Sequence, residues 1–106
     1  MDLIHKYQKA LYKACSTHNV EELYTFGSIL TDKFTAESDI DFIVLIRSED
    51  PIEYAEHYFE LKFELENIFS RKIDLLEQKA IKNKSFEALI NRQKVLVYAR
   101  GNQGLA

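Results

Sequence analysis

Three aspartates in this chain sit where a folded domain rarely leaves charge. Asp39 and Asp41 open the apolar run Asp39–Ile46, and Asp74 interrupts a second run, Lys72–Leu76. Carboxylates beside buried strands are costly unless something holds them. Side chains alternate along a strand, so Asp39 and Asp41 point the same way, about 7 Å apart at their Cα atoms. Carboxylates held that close repel one another unless a cation lies between them. Hard cations such as Mg²⁺ want oxygen ligands, and take a few carboxylates together with substrate phosphates. If the strand carrying Asp74 pairs beside Asp39–Ile46, the three carboxylates converge. The other half of the constellation is Gly27-Ser28, which closes the run Glu22–Phe26. A glycine at a strand end lets backbone approach a ligand closely. A helix starting there would turn free N–H groups toward an anion, and Ser28 adds a hydroxyl donor. A phosphate cradle beside a metal–carboxylate cluster is the equipment for phosphoryl or nucleotidyl transfer. Each piece alone has a plainer reading: a turn, a capping pair, a strand-edge charge. The joint pattern is far more specific.

The elements that must position these residues can be read from periodicity. Leu3, Ile4, Tyr7, Leu11 and Ala14 fall at helical spacing, with Lys6, Lys9 and Lys13 outside them, which predicts a helix over 2–17. Glu22–Phe26 reads as a strand, Ser28–Lys33 as a short helix or turn, and Phe34–Ser38 as a polar loop. Asp39–Ile46 is apolar on both faces beyond Asp41, so it reads as a central strand covered on both sides. Ser48-Glu49-Asp50-Pro51 is a helix start, with acids at the positive end and proline in the first turn. That helix runs to about Phe69, with Ala55, Tyr58, Leu61, Leu65 and Ile68 as its buried stripe and glutamates on the wet side. Ser70-Arg71 breaks it. Lys72–Leu76 is a strand, Lys84–Arg92 a short helix and Lys94–Tyr98 a last strand. The order is helix, strand, strand, helix, strand, helix, strand: an α/β or α+β layer fold.

The chain has 106 residues, 46% of them hydrophobic, enough for one domain over 1–100 with 101–106 as a frayed tail. A net charge of −3, with no basic stripe, argues against nucleic acid and anionic membrane as partners. No apolar run approaches the length of a membrane span. The single cysteine, Cys15, permits no internal disulfide and suits the cytoplasm.

Gly27-Ser28, then Ser38-Asp39-Ile40-Asp41-Phe42, then Asp74 on a later strand resemble the minimal nucleotidyltransferase domain of the polymerase-beta superfamily. The resemblance runs from the first helix to Tyr98. It implies the polymerase-beta-like fold, a mixed sheet of about four strands backed by helices, with a Gly-Ser turn that binds the triphosphate of ATP or another NTP and three aspartates that hold Mg²⁺. By it, Asp39, Asp41 and Asp74 are metal ligands and catalytic residues, Asp74 also helps deprotonate the acceptor, and Gly27 and Ser28 hold the β- and γ-phosphates. The implied reaction moves a nucleoside monophosphate, AMP from ATP, to a hydroxyl and releases pyrophosphate. Small members of this type resemble the antitoxin half of a two-protein system whose partner is a helical HEPN toxin, and such antitoxins can add AMP to a toxin tyrosine. The chain departs from the pattern in one place. Many members follow Gly-Ser with an arginine-rich stretch, and here it is Ile29-Leu30-Thr31-Asp32-Lys33. Lys33 and Arg47 are the candidate substitutes for the missing positive contact. The departure leaves open the same fold acting as an antitoxin that neutralises a partner by binding, with weak or no catalysis.

With no separate acceptor domain in view, the acceptor is another chain, a second copy of this one, or a small molecule in an open cleft. Tyr54, His57 and Phe63 lie near or off the main stripe of the long helix. They either widen the core contact or face a partner. His5, His18 and His57 lack metal-ligand spacing and read as surface or helix-end residues. Cys15 reads as core.

Overall fold

The computed structural model describes residues 1–101. The rest of the expected frayed tail, 102–106, lies outside the described residues. The sequence's strand and helix order is reproduced, with one division at the start. Asp2–Lys6 (α1) and Gln8–Thr17 (α2) are separate helices, because Tyr7 leaves helical geometry at φ −108°, ψ 20°. Val20–Phe26 (β1) begins two residues earlier than its apolar run suggests, and Ile40–Ile46 (β2) begins just after Asp39. Pro51–Phe69 (α3) starts as its sequence requires: the Asp50 side chain accepts a hydrogen bond from the Ile52 N–H at 3.0 Å, with Pro51 in the first turn. Ile73–Glu77 (β3), Lys84–Gln93 (α4) and Val95–Ala99 (β4) complete the set. The Asn83 side chain caps α4 through the Phe86 N–H.

The four strands form one mixed sheet in the order β3-β2-β1-β4. β1 runs antiparallel to both β2 and β4, whereas β2 and β3 are parallel. A parallel pair needs a crossover, and α3 supplies it. The architecture is therefore α+β, with β2 in the interior as its composition demands.

One face of the sheet carries the core. Ile40, Phe42, Val44 and Ile46 of β2, Leu23 of β1 and Ile73 and Leu75 of β3 meet Leu11 and Cys15 of α2 and Leu61, Leu65 and Phe69 of α3 in a single buried cluster. Cys15 is core, and burial, then Glu64, pushes its thiol pKa up, leaving it an inert apolar filler. The opposite face, which carries Asp41, Ile43 and Leu45, is covered more thinly; Ile43 and Ile90 of α4 are buried outside the main cluster. The thin face is the one that bears the carboxylates.

One expectation fails at α3. Ala55, expected in its buried stripe, is exposed, and Phe69 is buried in addition to Leu61 and Leu65. His18, expected at the surface or a helix end, does cap the C-terminus of α2 but is buried there, 4% exposed. Packing of α2 on α3 sets its ring between Glu64, which it meets through Nε2, and His57, at 3.1 Å between the two Nδ1 atoms. A buried imidazole needs such partners, and the two on α3 come from 39 and 46 residues away in sequence.

Candidate active site

Parallel pairing of β2 with β3 sets Asp41 directly beside Asp74. Asp39 precedes β2 by one residue and lies two residues before Asp41, on the same side by strand alternation. The structure thus brings the three aspartates together on the thinly covered face. The Asp41 carboxyl records the crowding: its pKa is raised above the ordinary 3.8 by burial first, then by the charges of Asp74 and Asp39, and by a hydrogen bond its protonated form shares with Asp74.

Gly27 ends β1 on the same ground. Phe26 pairs with Asp41, and the chain then turns at Gly27 with φ +80°. A Cβ built there would fall on Asp41 Oδ2 and 3.2 Å from Asp41 Cγ. Any side chain at position 27 would occupy the space of the carboxylate and hold a disfavoured backbone conformation. The glycine is what permits the close approach. After it comes a single 3-10 turn, Gly27–Leu30, and not an α-helix, so any phosphate contact would come from the N–H groups and hydroxyl of the turn and not from a helix dipole. Gly27, Leu30 and Thr31 bound an open hollow with Gln93 from the end of α4, a residue the sequence gives no reason to choose.

The loop that delivers Asp39 is held by a residue read from sequence only as a helix breaker. Arg71, between α3 and β3, donates from its guanidinium to the Thr35 and Ser38 carbonyls at 3.1 and 3.0 Å and lies 4.8 Å over the Phe34 ring. Ser38 Oγ also accepts from the Thr35 N–H. Arg71 therefore ties the strand of Asp74 to the loop of Asp39. Its partners are 33 and 36 residues away, so no local pattern announces them. Of the two candidate cations, Lys33 follows the Gly27–Leu30 turn. Arg47 does not belong to the site: its backbone N–H bonds the Asn19 carbonyl at the far end of β2, about 20 Å along the strand from Asp41.

The donor set, three carboxylates without sulfur or nitrogen, is chemically right for a hard divalent cation. Among the described residues, no three acidic, histidine or cysteine side chains close around one point as they stand. Closing on an ion would ask for side-chain torsion from a backbone already in register. The residues fit Mg²⁺ in type and in backbone placement.

A family model described as polymerase beta, nucleotidyltransferase matches residues 9–103. Two proteins of Methanocaldococcus jannaschii, both provisionally named protein adenylyltransferases, are 30% and 29% identical over 96 residues, covering 91% of this chain and 92% of each relative. Among solved structures, a provisionally named minimal nucleotidyltransferase is similar with a TM-score of 0.72 at 20% identity, over 90% of this chain and 95% of that one. A toxin–antitoxin crystal structure with AMP-PNP gives 0.67 at 19% identity, over 90% of this chain and 75% of that one. A tri-AMPylated Shewanella oneidensis HEPN toxin in complex with MNT antitoxin gives 0.60 at 18%, over 90% and 71%. At these identities the structural likenesses establish the fold.

Proposed function

The chain belongs to the polymerase beta nucleotidyltransferase family and is a nucleotidyltransferase, and from that premise we propose that it transfers AMP from ATP, with Mg²⁺, to a hydroxyl of a protein acceptor, a tyrosine of a HEPN-type toxin. The observation that carries the reading is the register of Asp41 with Asp74, with Gly27 turned so that the Asp41 carboxylate fills its missing Cβ position. The provisional naming of the two relatives as protein adenylyltransferases supports AMP and a protein acceptor. Likeness to the toxin–antitoxin complexes supports the class of partner. The absence among the described residues of a helix able to cross a membrane, and the lone buried Cys15, are in keeping with action in the cytoplasm.

In this reading Asp39, Asp41 and Asp74 hold the ion, which when bound would offset phosphate charge and polarise the α-phosphate. Gly27 and Ser28 receive the β- and γ-phosphates on turn N–H groups and a hydroxyl. Arg71 keeps the Asp39 loop in place. The acceptor oxygen attacks the α-phosphorus and its proton passes to Asp74. The new P–O bond forms as the α–β anhydride bond breaks, and pyrophosphate leaves with that electron pair.

A second reading has a specific observation behind it. The stretch Ile29–Lys33 carries Asp32 and no arginine, which weakens the hold on phosphate and favours an antitoxin that neutralises its partner by binding. One experiment separates the two: incubation with Mg²⁺ and α-labelled ATP, with and without the protein made by the adjacent gene. Label on that protein, lost in Asp41→Asn, establishes the enzyme and its acceptor. Tight complex formation without label establishes binding as the function.

A further inference from the structure

The long helix α3 is amphipathic toward the core and apolar again on its outer side. At 100° per residue, Leu61, Leu65 and Phe69 cluster on the inward arc, and Ile52, Phe59 and Phe63 cluster on the outer side, about 140° away. Those three are 72%, 65% and 64% exposed, the most exposed large apolar side chains among the described residues. They form a stripe 11 residues, or about 16 Å, long. Together they leave on the order of 400 Å² of apolar surface uncovered. Such a stripe is too far round the helix to widen the core contact. Phe63, for which the sequence allowed either role, belongs to this outer face, whereas Tyr54 packs against the core and His57 pairs with His18.

The border of the stripe fixes what can cover it. Glu53, Glu56, Glu60, Glu64 and Glu66 lie on α3 against a single lysine, Lys62, and Glu56 and Glu60 flank the exposed phenylalanines directly. Phe59, Glu60, Phe63 and Glu64 line one open hollow on the surface. An acidic rim repels nucleic acid and anionic lipid. It also disfavours a second copy, because an antiparallel pairing of two α3 helices would set glutamates of one against glutamates of the other.

We propose that the outer face of α3 docks an amphipathic helix of another protein, with an apolar seam flanked by lysine or arginine. An apolar ridge 16 Å long matches helix-on-helix packing, and the glutamates supply complementary charge to basic residues at the rim. The inference rests on the reading that this chain has a protein partner, and adds where and by what chemistry that partner is held. It also separates docking from transfer. α3 covers the core face of the sheet, and Asp41 belongs to the opposite one, so a partner seated on α3 leaves the aspartates uncovered.

The test uses the whole chain and a fluorescein-labelled helical peptide of about 18 residues, with leucines at helical a/d spacing and lysine or arginine beside them. The expected result is saturable binding to the wild type by anisotropy, weakened at least about tenfold by the pair Phe59→Ser, Phe63→Ser and by the pair Glu56→Lys, Glu60→Lys. A peptide of the same composition with its leucines scrambled should bind at least about tenfold more weakly. All four substituted side chains point to solvent, so melting temperature should hold in both variants, and the thermal shift given by Mg²⁺ and ATP should be unchanged. Asp41→Asn should bind the peptide like the wild type, so loss of transfer and loss of docking are read separately. Binding that survives the phenylalanine pair overturns the proposal, as does absence of binding to the wild type. A wild-type dimer in sedimentation that the phenylalanine pair dissolves overturns it in favour of a second copy.

Discussion

Replacing Asp41 by asparagine should make the protein more stable and catalytically dead at once. Parallel strand neighbours lie about 4.8 Å apart, which sets the scale for Asp41 and Asp74, and Asp39 stands about 7 Å along β2. At an effective dielectric of roughly 40–80 on this partly open face, Coulomb's law puts the two repulsions together at about 1.5–3 kcal/mol. Screening at physiological salt, with a Debye length of about 8 Å, roughly halves that. Asp41→Asn should therefore add about 1 kcal/mol, a rise of about 5 °C in melting temperature for a domain of this size. The pH dependence carries the same sign. Because the pKa of folded Asp41 lies above its ordinary 3.8, the folded state holds that proton more tightly than the unfolded chain does. Its contribution to stability falls as pH rises from about 3.8 through the raised value, and the variant lacks this fall. The two melting curves should coincide in acid and separate toward neutrality, and added Mg²⁺ should close the gap by stabilising the wild type. Transfer from α-labelled ATP should drop at least about a hundredfold. Calorimetric melts across pH, with and without Mg²⁺, check the first part. A variant that melts at or below the wild type at neutral pH and low salt would refute the crowding of charge on which the metal assignment rests.

Gly27→Val should lose about 2–4 kcal/mol, since it forces a branched side chain at φ +80° onto the Asp41 carboxylate, and should also abolish the thermal shift given by ATP. Unchanged melting and ATP response would remove Gly27 from the site. Asp74→Ala should weaken Mg²⁺ binding by at least about tenfold in titration calorimetry while leaving the fold intact, because Asp74 is exposed. Equal affinity would make it a strand-edge charge. Arg71→Met should cost about 1–2 kcal/mol through lost hydrogen bonds to Thr35 and Ser38. Amide exchange should speed up over 35–39 and transfer should slow, and exchange that does not change would show the loop is held by other means.

What the sequence made legible was local or periodic. β2 announced itself by its Ile-, Val- and Phe-rich run and the other strands by short apolar runs, α3 by its cap, and Gly27-Ser28 and the aspartates by residue type out of place. The neighbouring of Asp41 and Asp74 needed one assumption, that β3 pairs beside β2, and a βαβ crossover makes that natural. What stayed hidden was long-range. Arg71 works on a loop more than 30 residues upstream, and His18 is buried by residues of α3 that its own helix does not predict. The stripe of α3 was misread at Ala55 because apolar residues fall around the whole helix. Periodicity cannot tell the inward set from the outward set when both are apolar. The break at Tyr7 is likewise invisible in a pattern that continues through it.

The missing arginine takes its meaning from this geometry. Arg47 lies at the wrong end of β2, leaving Lys33 as the cation on the stretch after the Gly-Ser turn, with Asp32 beside it. The phosphates of a nucleotide would meet three carboxylates with little protein charge to offset them. In the transfer reading the bound ion therefore has to provide most of the neutralisation, which ties nucleotide affinity to metal affinity more closely than in a site with its own arginine. If a partner docks on α3 as proposed, binding and catalysis use different surfaces. A partner held on that outer stripe, behind the sheet, would stay bound whether or not ATP occupies the aspartate face. Loss of the aspartates would then convert it from a modifying partner to a purely steric one without disturbing the complex.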